Sequence, residues 1–300
     1  MTARVLVVGS VNIDYLLPVE RLPSRGETVV GEELSRVPGG KGANAAAAAA
    51  GLGADTTLVA AIGGDEEGDQ AVRELTEAGV DCAGLQRVDA ATGVAIVLTD
   101  AADENLIAVA PGANTRLDPE HVRAAIAERA LPGSVVLVNF EIPDAVVAEV
   151  AAQARRQGTT LVVDPAPARP IDLELVSACD LLTPNQHEVD LLGFDSPGQL
   201  LDAGAGAVAV TLGAEGCELH RPGSPAARFS SYPVEVRDTV GAGDAFAAGV
   251  GVGLAEGLEA DGAVVLGCAA GALASTAAGA RGARFDRARA QALIESARAR

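Results

Sequence analysis

The run VVLVNFEIPDAVVAEVAAQARRQGTTLVV, residues 135–163, decides the architecture. It opens on Val135-Val136-Leu137-Val138 and closes on Leu161-Val162-Val163, both apolar at every position, which reads as strands buried on both faces. Between them Asp144–Gln157 reads as a helix. The same alternation extends outward in both directions. Val5-Leu6-Val7-Val8, Thr57-Leu58-Val59-Ala60 and Val208-Ala209-Val210 are further buried strands, and Glu67–Ala78 and Pro119–Ala130 further helices. Continuous apolar strands separated by helices predict an α/β fold with a mainly parallel central sheet covered on both faces. After Thr239 the chain turns helical, with Asp244–Glu256, Asp261–Ala278 and Arg287–Ala297 in succession.

Two stretches break the rhythm. Ile13–Pro38 and Thr92–Ala110 carry shorter, partly alternating strands (Val29-Val30, Val94–Leu98, Leu106–Val109) with no helix between them. They predict a small separate sheet inserted into one domain spanning residues 1–300, from segments at about 13–38 and 92–110. The Pro/Gly/Ser patch Arg221–Ala226 reads as a surface turn between late strands, and no internal repeat or long linker is visible.

Composition narrows the function. With aromatics at 2% and no Trp, the core has to be built from Ala, Val, Leu and Ile in close contact. A formal net charge of −19 repels nucleic acid and anionic lipid, whose recognition relies on clustered Lys and Arg. An anionic substrate would need local help from backbone amides, a lysine or a divalent cation. Cys82, Cys179, Cys217 and Cys268 are widely scattered, which favours isolated buried thiols over a disulfide framework or zinc site. The N-terminus enters a strand pattern at once without a secretory signature, and Ala45–Ala50 is too short to span a bilayer. The expectation is a cytoplasmic protein with neither membrane nor nucleic-acid partner.

The strongest local signal is Arg237-Asp238-Thr239-Val240-Gly241-Ala242-Gly243-Asp244. Three small residues before a helical run let successive N–H groups converge on one anion, and the helix terminus adds partial positive charge. A carboxylate at the first helical position can accept the proton of an attacking hydroxyl, although Asp244 as a plain N-cap fits the local pattern as well. A second signal, Pro38-Gly39-Gly40-Lys41-Gly42-Ala43-Asn44, is not a Walker A loop, because Ser35 and Gly42 stand where that motif needs Gly and Ser/Thr. Its glycines permit close ligand approach, and Asn44 can bond hydroxyls. Asn12 and Asp14, two apart in an extended segment, lie on one side and suit vicinal hydroxyls, or else form an Asx-turn. Asn185 and Glu188 of Thr183-Pro184-Asn185-Gln186-His187-Glu188 face one site or make a capping box. Thr211-Leu212-Gly213-Ala214-Glu215-Gly216 follows a buried strand, where ligands bind in such sheets. Gly9-Ser10-Val11-Asn12 lacks the spacing of a dinucleotide fingerprint. His121, His187 and His220 fit surface or structural roles.

With these motifs in this order, joined by Pro111-Gly112-Ala113-Asn114 and Asp164-Pro165-Ala166-Pro167-Ala168-Arg169, the chain resembles the ribokinase-like (phosphofructokinase-B type) sugar kinase family, nearly end to end. The resemblance implies a three-layer α/β/α fold with a small β-sheet lid, and ATP-dependent phosphorylation of a sugar's primary hydroxyl, D-ribose first among the acceptors. It implies that Asn12, Asp14, Gly40, Lys41, Asn44 and Glu141 hold the sugar. Asn185 and Glu188 would position phosphate and hydrated Mg²⁺, and Thr211, Gly213, Gly216, Gly243 and Cys268 would line the ATP site. Gly241, Ala242 and Gly243 would form the anion hole, and Asp244 would be the base. A monovalent cation, K⁺, would sit against Asp238, Val240, Ala278 and Ala280. That loop departs from the family pattern at Ala283, where serine is common, and Cys268 replaces a usual Asn or His beside adenine. The lid would also be the contact of a homodimer. A nucleoside kinase or a kinase for 2-deoxyribose or fructose shares these motifs, and a catalytically silent sugar-binding regulator is disfavoured by the intact Asp244 and its glycines.

Overall fold

The structure is a computed structural model that describes residues 2–100, 104–283 and 286–298. In chain order its strands are β1 (Arg4–Val8), β2 (Asn12–Pro18), β3 (Ser35–Gly39), β4 (Asp55–Gly63), β5 (Leu85–Val88), β6 (Gly93–Thr99), β7 (Asn105–Ala110), β8 (Val135–Asn139), β9 (Thr160–Asp164), β10 (Leu181–Leu182), β11 (Val208–Thr211), β12 (Cys217–Arg221) and β13 (Ser224–Phe229). The helices are α1 (Lys41–Gly51), α2 (Glu66–Glu77), α3 (Pro119–Arg129), α4 (Asp144–Gln157), α5 (Leu173–Val176), α6 (Gln186–Leu191), α7 (Pro197–Asp202), α8 (Ala242–Ala255), α9 (Ala260–Ala274) and α10 (Arg287–Arg298).

The larger sheet has the order β13-β12-β11-β10-β9-β8-β1-β4-β5. From β5 through β11 neighbours run parallel, and β12 and β13 return antiparallel at one edge. Alternate residues feed two cores. Val5 and Val7 of β1 pack with α1, α8, α9 and α10, whereas Leu6 and Val8 pack with α3 and α4 on the opposite face. This is the expected three-layer arrangement, and it explains why these strands are apolar at every position.

The shortage of aromatics is met by bringing backbones together. Helix α1 is mostly alanine, the best helix former, and it packs against both β1 and α8. Between α8 and α9 a Cβ on Gly249 would lie 2.8 Å from the Gly267 Cα, and one on Gly253 would lie 2.7 Å from the Ala263 Cα. Hydrogen in place of a methyl therefore sets the separation of these two helices.

The smaller sheet, β3-β2-β6-β7, grows directly from the carboxyl end of β1 through residues 9–11. Strand β2 pairs antiparallel with β3 (Asn12 opposite Gly39) and parallel with β6 (Asn12 opposite Gly93). Ile96, Leu106, Ile107 and Val109 stand at least half exposed on it. Some sequence expectations need correction. Val29-Val30 is not a strand, since nothing pairs with it beyond an isolated Val19–Gly31 bridge. The turn expected over Arg221–Ala226 shrinks to residues 222–223, because Ser224 already pairs with Arg221. Helix α9 stops at Ala274 rather than Ala278, and the Ser275 carbonyl instead accepts the Arg237 N–H at 2.8 Å.

Candidate active site

Five of the segments singled out in the sequence lie at the carboxyl ends of parallel strands of the larger sheet. Residues 9–12 leave β1, Glu141 follows β8, Asp164 ends β9, Asn185 follows β10 and Thr211 ends β11. Ligands bind at such strand ends because the chain there leaves the sheet and exposes backbone groups. The N-termini of α1 and α8 close the same region.

At one end Gly40 caps α1 with φ 88°, and a Cβ there would sit 2.5 Å from the Asn12 nitrogen. Only glycine lets α1 begin this close to β2. The Asn12 side chain is fixed by Asn114, whose Nδ2 donates to Asn12 Oδ1 at 2.8 Å while its Oδ1 accepts the Val11 N–H at 2.9 Å. Glu141 Oε2 accepts from Ser10 Oγ at 2.5 Å and from the Lys41 N–H at 3.1 Å. Asp244 is 4% exposed and held on both oxygens: Asn44 Nδ2 donates at 2.8 Å and Lys41 Nζ at 3.3 Å. The carboxylate of Asp14 lies over the Cα of Gly39. Asn12, Asp14, Gly40, Lys41, Asn44, Glu141 and Asp244, drawn from four separate parts of the chain, thus meet. Asp14 Oδ1 and Asn44 Oδ1 are buried without a hydrogen-bond partner, so the cluster keeps acceptor capacity for a polyhydroxylated ligand.

The cluster is strongly acidic. Burial, then the neighbouring Glu141 and Asp244 charges, push Asp14 up to about 6, with Arg281 pulling the other way. Burial raises Asp164 as well, against the attraction of Lys41, with Asp244, Glu188 and Glu141 adding to the rise. Burial pulls Lys41 down, but Asp244, Asp164 and Glu141 together outweigh it and hold the ammonium charged above its ordinary range.

Beyond Asp244 the α8 N-terminus opens into a cavity of about 500 Å³ lined by Thr211, Gly213, Gly216, Gly243 and Cys268, with Tyr232 and Phe246. Helix α8 begins at Ala242, two residues before the expected start, and Gly241 at φ 77° is its N-cap. Asp244 is therefore no cap: its carboxylate points to Asn44 and Lys41. Among the described residues no backbone carbonyl accepts from the Gly241, Gly243 or Asp244 N–H, whereas the Ala242 N–H is engaged by the Thr239 carbonyl at 3.1 Å. Gly243 faces open space. Asp238 braces the turn, accepting the Val240 N–H at 2.9 Å and the Gly279 N–H at 2.7 Å. This draws Ala278–Ala280 against Gly241, where a Cβ would meet that of Ala280 at 2.7 Å. Asn185 and Glu188 do form the capping box of α6, with reciprocal contacts of 2.8 and 2.9 Å, and Asn185 bridges Thr211 beside the cavity.

Four polar residues of the site carried no assigned role in the sequence: Ser10, Asn114, Asp164 and Arg281. Asn114 and Asp164 lay inside motifs already quoted, and a carboxylate ending a buried strand was a signal for the latter. Ser10 and Arg281 gave none.

An acidic cluster with buried acceptors left without partners, joined to a helix N-terminus and a neighbouring cavity, suits a kinase of small hydroxylated substrates. The chain belongs to the pfkB family of carbohydrate kinases, whose profile matches residues 2–285. It is 34% identical over 282 residues to a ribokinase of Lactococcus lactis subsp. lactis, covering 93% of each chain. Among solved structures it is similar to ribokinase from Thermotoga maritima (TM-score 0.88, 32% identity, 98% and 99% of the two chains). It is also similar to Arabidopsis thaliana ribokinase complexed with ribose and ATP (TM-score 0.86, 32% identity, the same coverage).

Proposed function

We propose that this carbohydrate kinase transfers the γ-phosphoryl group of ATP to the primary hydroxyl of D-ribose, giving ribose 5-phosphate. The observation that carries the reading is the placement of Asp244. It stands between a cluster suited to hydroxyls and a cavity of nucleotide size, at the start of a helix with unengaged amides. Ribose and ATP occupy the Arabidopsis relative.

In this reading Asn12, Asp14, Asn44 and Glu141 grip the ribose hydroxyls, and Gly40 lets the backbone come close. Lys41 neutralises part of the acidic cluster and stays protonated while phosphate is present. Asp244 accepts the proton of the attacking hydroxyl as the oxygen–phosphorus bond forms, and the ADP oxygen leaves in line. The Gly241, Gly243 and Asp244 amides face the charge that builds on the moving group, which is where electrostatic stabilisation counts most. Cys268 and the loop Thr211–Gly216 border the adenosine.

Two cations fit the residues present. Asn185 and Glu188 would steady a hydrated Mg²⁺ that arrives with ATP. It would offset charge between the polyphosphate and an already acidic site. A monovalent cation, K⁺, would rest on Asp238 and the carbonyls of Val240, Ala278 and Ala280, which accept no backbone N–H among the described residues. Such hard oxygen donors need no serine, so Ala283 does not oppose it. The smaller sheet would be a lid that excludes water from the transfer and, through its exposed apolar face, the contact between two copies of the chain. No helix among the described residues is long and apolar enough to cross a membrane; we place the enzyme in the cytoplasm, where ATP is available.

ADP release across a panel of pentoses, hexoses and nucleosides, with and without K⁺, tests the proposal. Ribose should give the highest kcat/KM and K⁺ should raise it. A preference for adenosine or fructose would overturn the assignment of ribose.

A further inference from the structure

Arg281 lies in the loop that braces the α8 N-terminus, yet its side chain leaves that loop for the other end of the site. Two residues earlier, Gly279 donates to Asp238, and the intervening Ala280 packs on Gly241. From there the guanidinium reaches β3, where Nη2 donates to the Gly39 carbonyl at 3.3 Å. Gly39 is the residue over which the Asp14 carboxylate lies. The Arg281 Nε is sealed from solvent with no hydrogen-bond partner, as is Glu74 Oε2, the other carboxylate whose charge it feels. A buried cation with so few bonds of its own is costly unless it serves a neighbouring charge.

We infer that Arg281 is a positioning residue for sugar binding: it holds the Gly39 end of β3, over which the Asp14 carboxylate lies, and ties the sugar grip to the loop that supports the phosphate end. The charged groups facing Asp14 are Glu141 from the segment after β8, Asp244 from α8 and Arg281 from the loop after α9. The first two oppose its ionisation and Arg281 favours it. The bond of the guanidinium is to Gly39, beside Asp14, so its loss should fall on sugar affinity rather than on the chemical step.

This inference rests on the reading of the acidic cluster as the sugar subsite, and the experiment separates the two. Wild-type turnover on the sugar panel tests the reading. The variant-to-wild-type ratio, with whichever sugar the wild type prefers, tests the inference. Arg281→Gln should raise the sugar KM about tenfold, with kcat and the ATP KM changed by less than about threefold. The acid limb of kcat/KM for sugar should move to higher pH by roughly half a unit to one unit, because removing a positive charge raises a carboxyl pKa. Arg281→Lys, which keeps the charge and loses the fork, should restore the limb but only part of the KM. The carboxyl-carbon titration of Asp14 by NMR, recorded without sugar, should shift upward in Arg281→Gln alone. An unmoved Asp14 titration, or sugar and ATP KM rising together in both variants, would overturn the inference and leave Arg281 a plain brace of its loop.

Discussion

The nine-stranded and four-stranded sheets use similar Val- and Ile-rich strands in opposite settings. In the larger sheet both faces are covered by helices, and the inner strands β1, β8 and β9 are buried at almost every residue. In the smaller sheet Ile107 remains 56% exposed and Val109 53%. The first is a frame that fixes where the strand ends, and hence the polar residues, stand. The second contributes Asn12 and Asp14 to the site while leaving an apolar face uncovered, as expected of a part that moves or meets another copy. On the proposed reading, the chemistry stands on the larger sheet, and access and assembly would fall to the smaller one.

The comparison is broken most severely at Asp244. Asp244→Asn removes the proton acceptor but not the helix or its amides, so turnover should fall by about 10²–10⁴-fold while calorimetry still finds ribose bound. Retained turnover would move the chemistry elsewhere in the frame. Asp14, on the smaller sheet, should behave differently. Its folded pKa of about 6 lies above the unfolded 3.8, so its ionisation costs the fold stability as pH rises from about 4 to 6; the cost is complete above that window and absent below it. Asp14→Asn should therefore weaken ribose binding by about tenfold or more, yet raise stability at pH 8 by on the order of 1–2 kcal/mol and not at pH 4. Urea melts at the two pH values with ribose titrations check both halves. In the wild type kcat/KM for ribose should decline below about pH 6 as Asp14 takes up its proton.

Gly249→Val probes the frame alone. Its branched side chain would collide with Gly267, so α8 and α9 should separate at a cost of about 1–3 kcal/mol, read as a lower denaturation midpoint. The smallest effect on the single chain should come from Ile107→Glu on the uncovered face. Stability of the monomer should change by less than about 0.5 kcal/mol, since the position is exposed. Sedimentation should nevertheless show a shift from dimer to monomer if that face is the contact.

The two sheets also differed in how far they could be read from residues alone. Strands buried on both faces announce themselves by uninterrupted Val, Leu and Ile, and Asp144–Gln157 was delimited to the residue. Val29-Val30 looked the same locally but found no partner, because β pairing is decided by distant chain. Strand β10 is only two residues long, and Gln86 and Arg87 interrupt the apolar ends of β5. In the site, Asp244 and the glycines before it were legible as a helix-start motif, while the actual start at Ala242 depended on Gly241 adopting a left-handed turn. The capping spacing of Asn185 and Glu188 left two readings open, and the structure forms the cap. Arg281 was not legible at all, since nothing in Gly279-Ala280-Arg281-Gly282 reveals that its side chain crosses to β3.

The scarcity of aromatic rings has an optical consequence. With no Trp and two Tyr, near-ultraviolet emission comes from Tyr15, which follows Asp14 and donates to Glu67 at 3.1 Å, and from Tyr232 on the wall of the 500 Å³ cavity. If sugar and nucleotide bind as proposed, each would perturb a different tyrosine, and replacing one by Phe isolates the signal of the other.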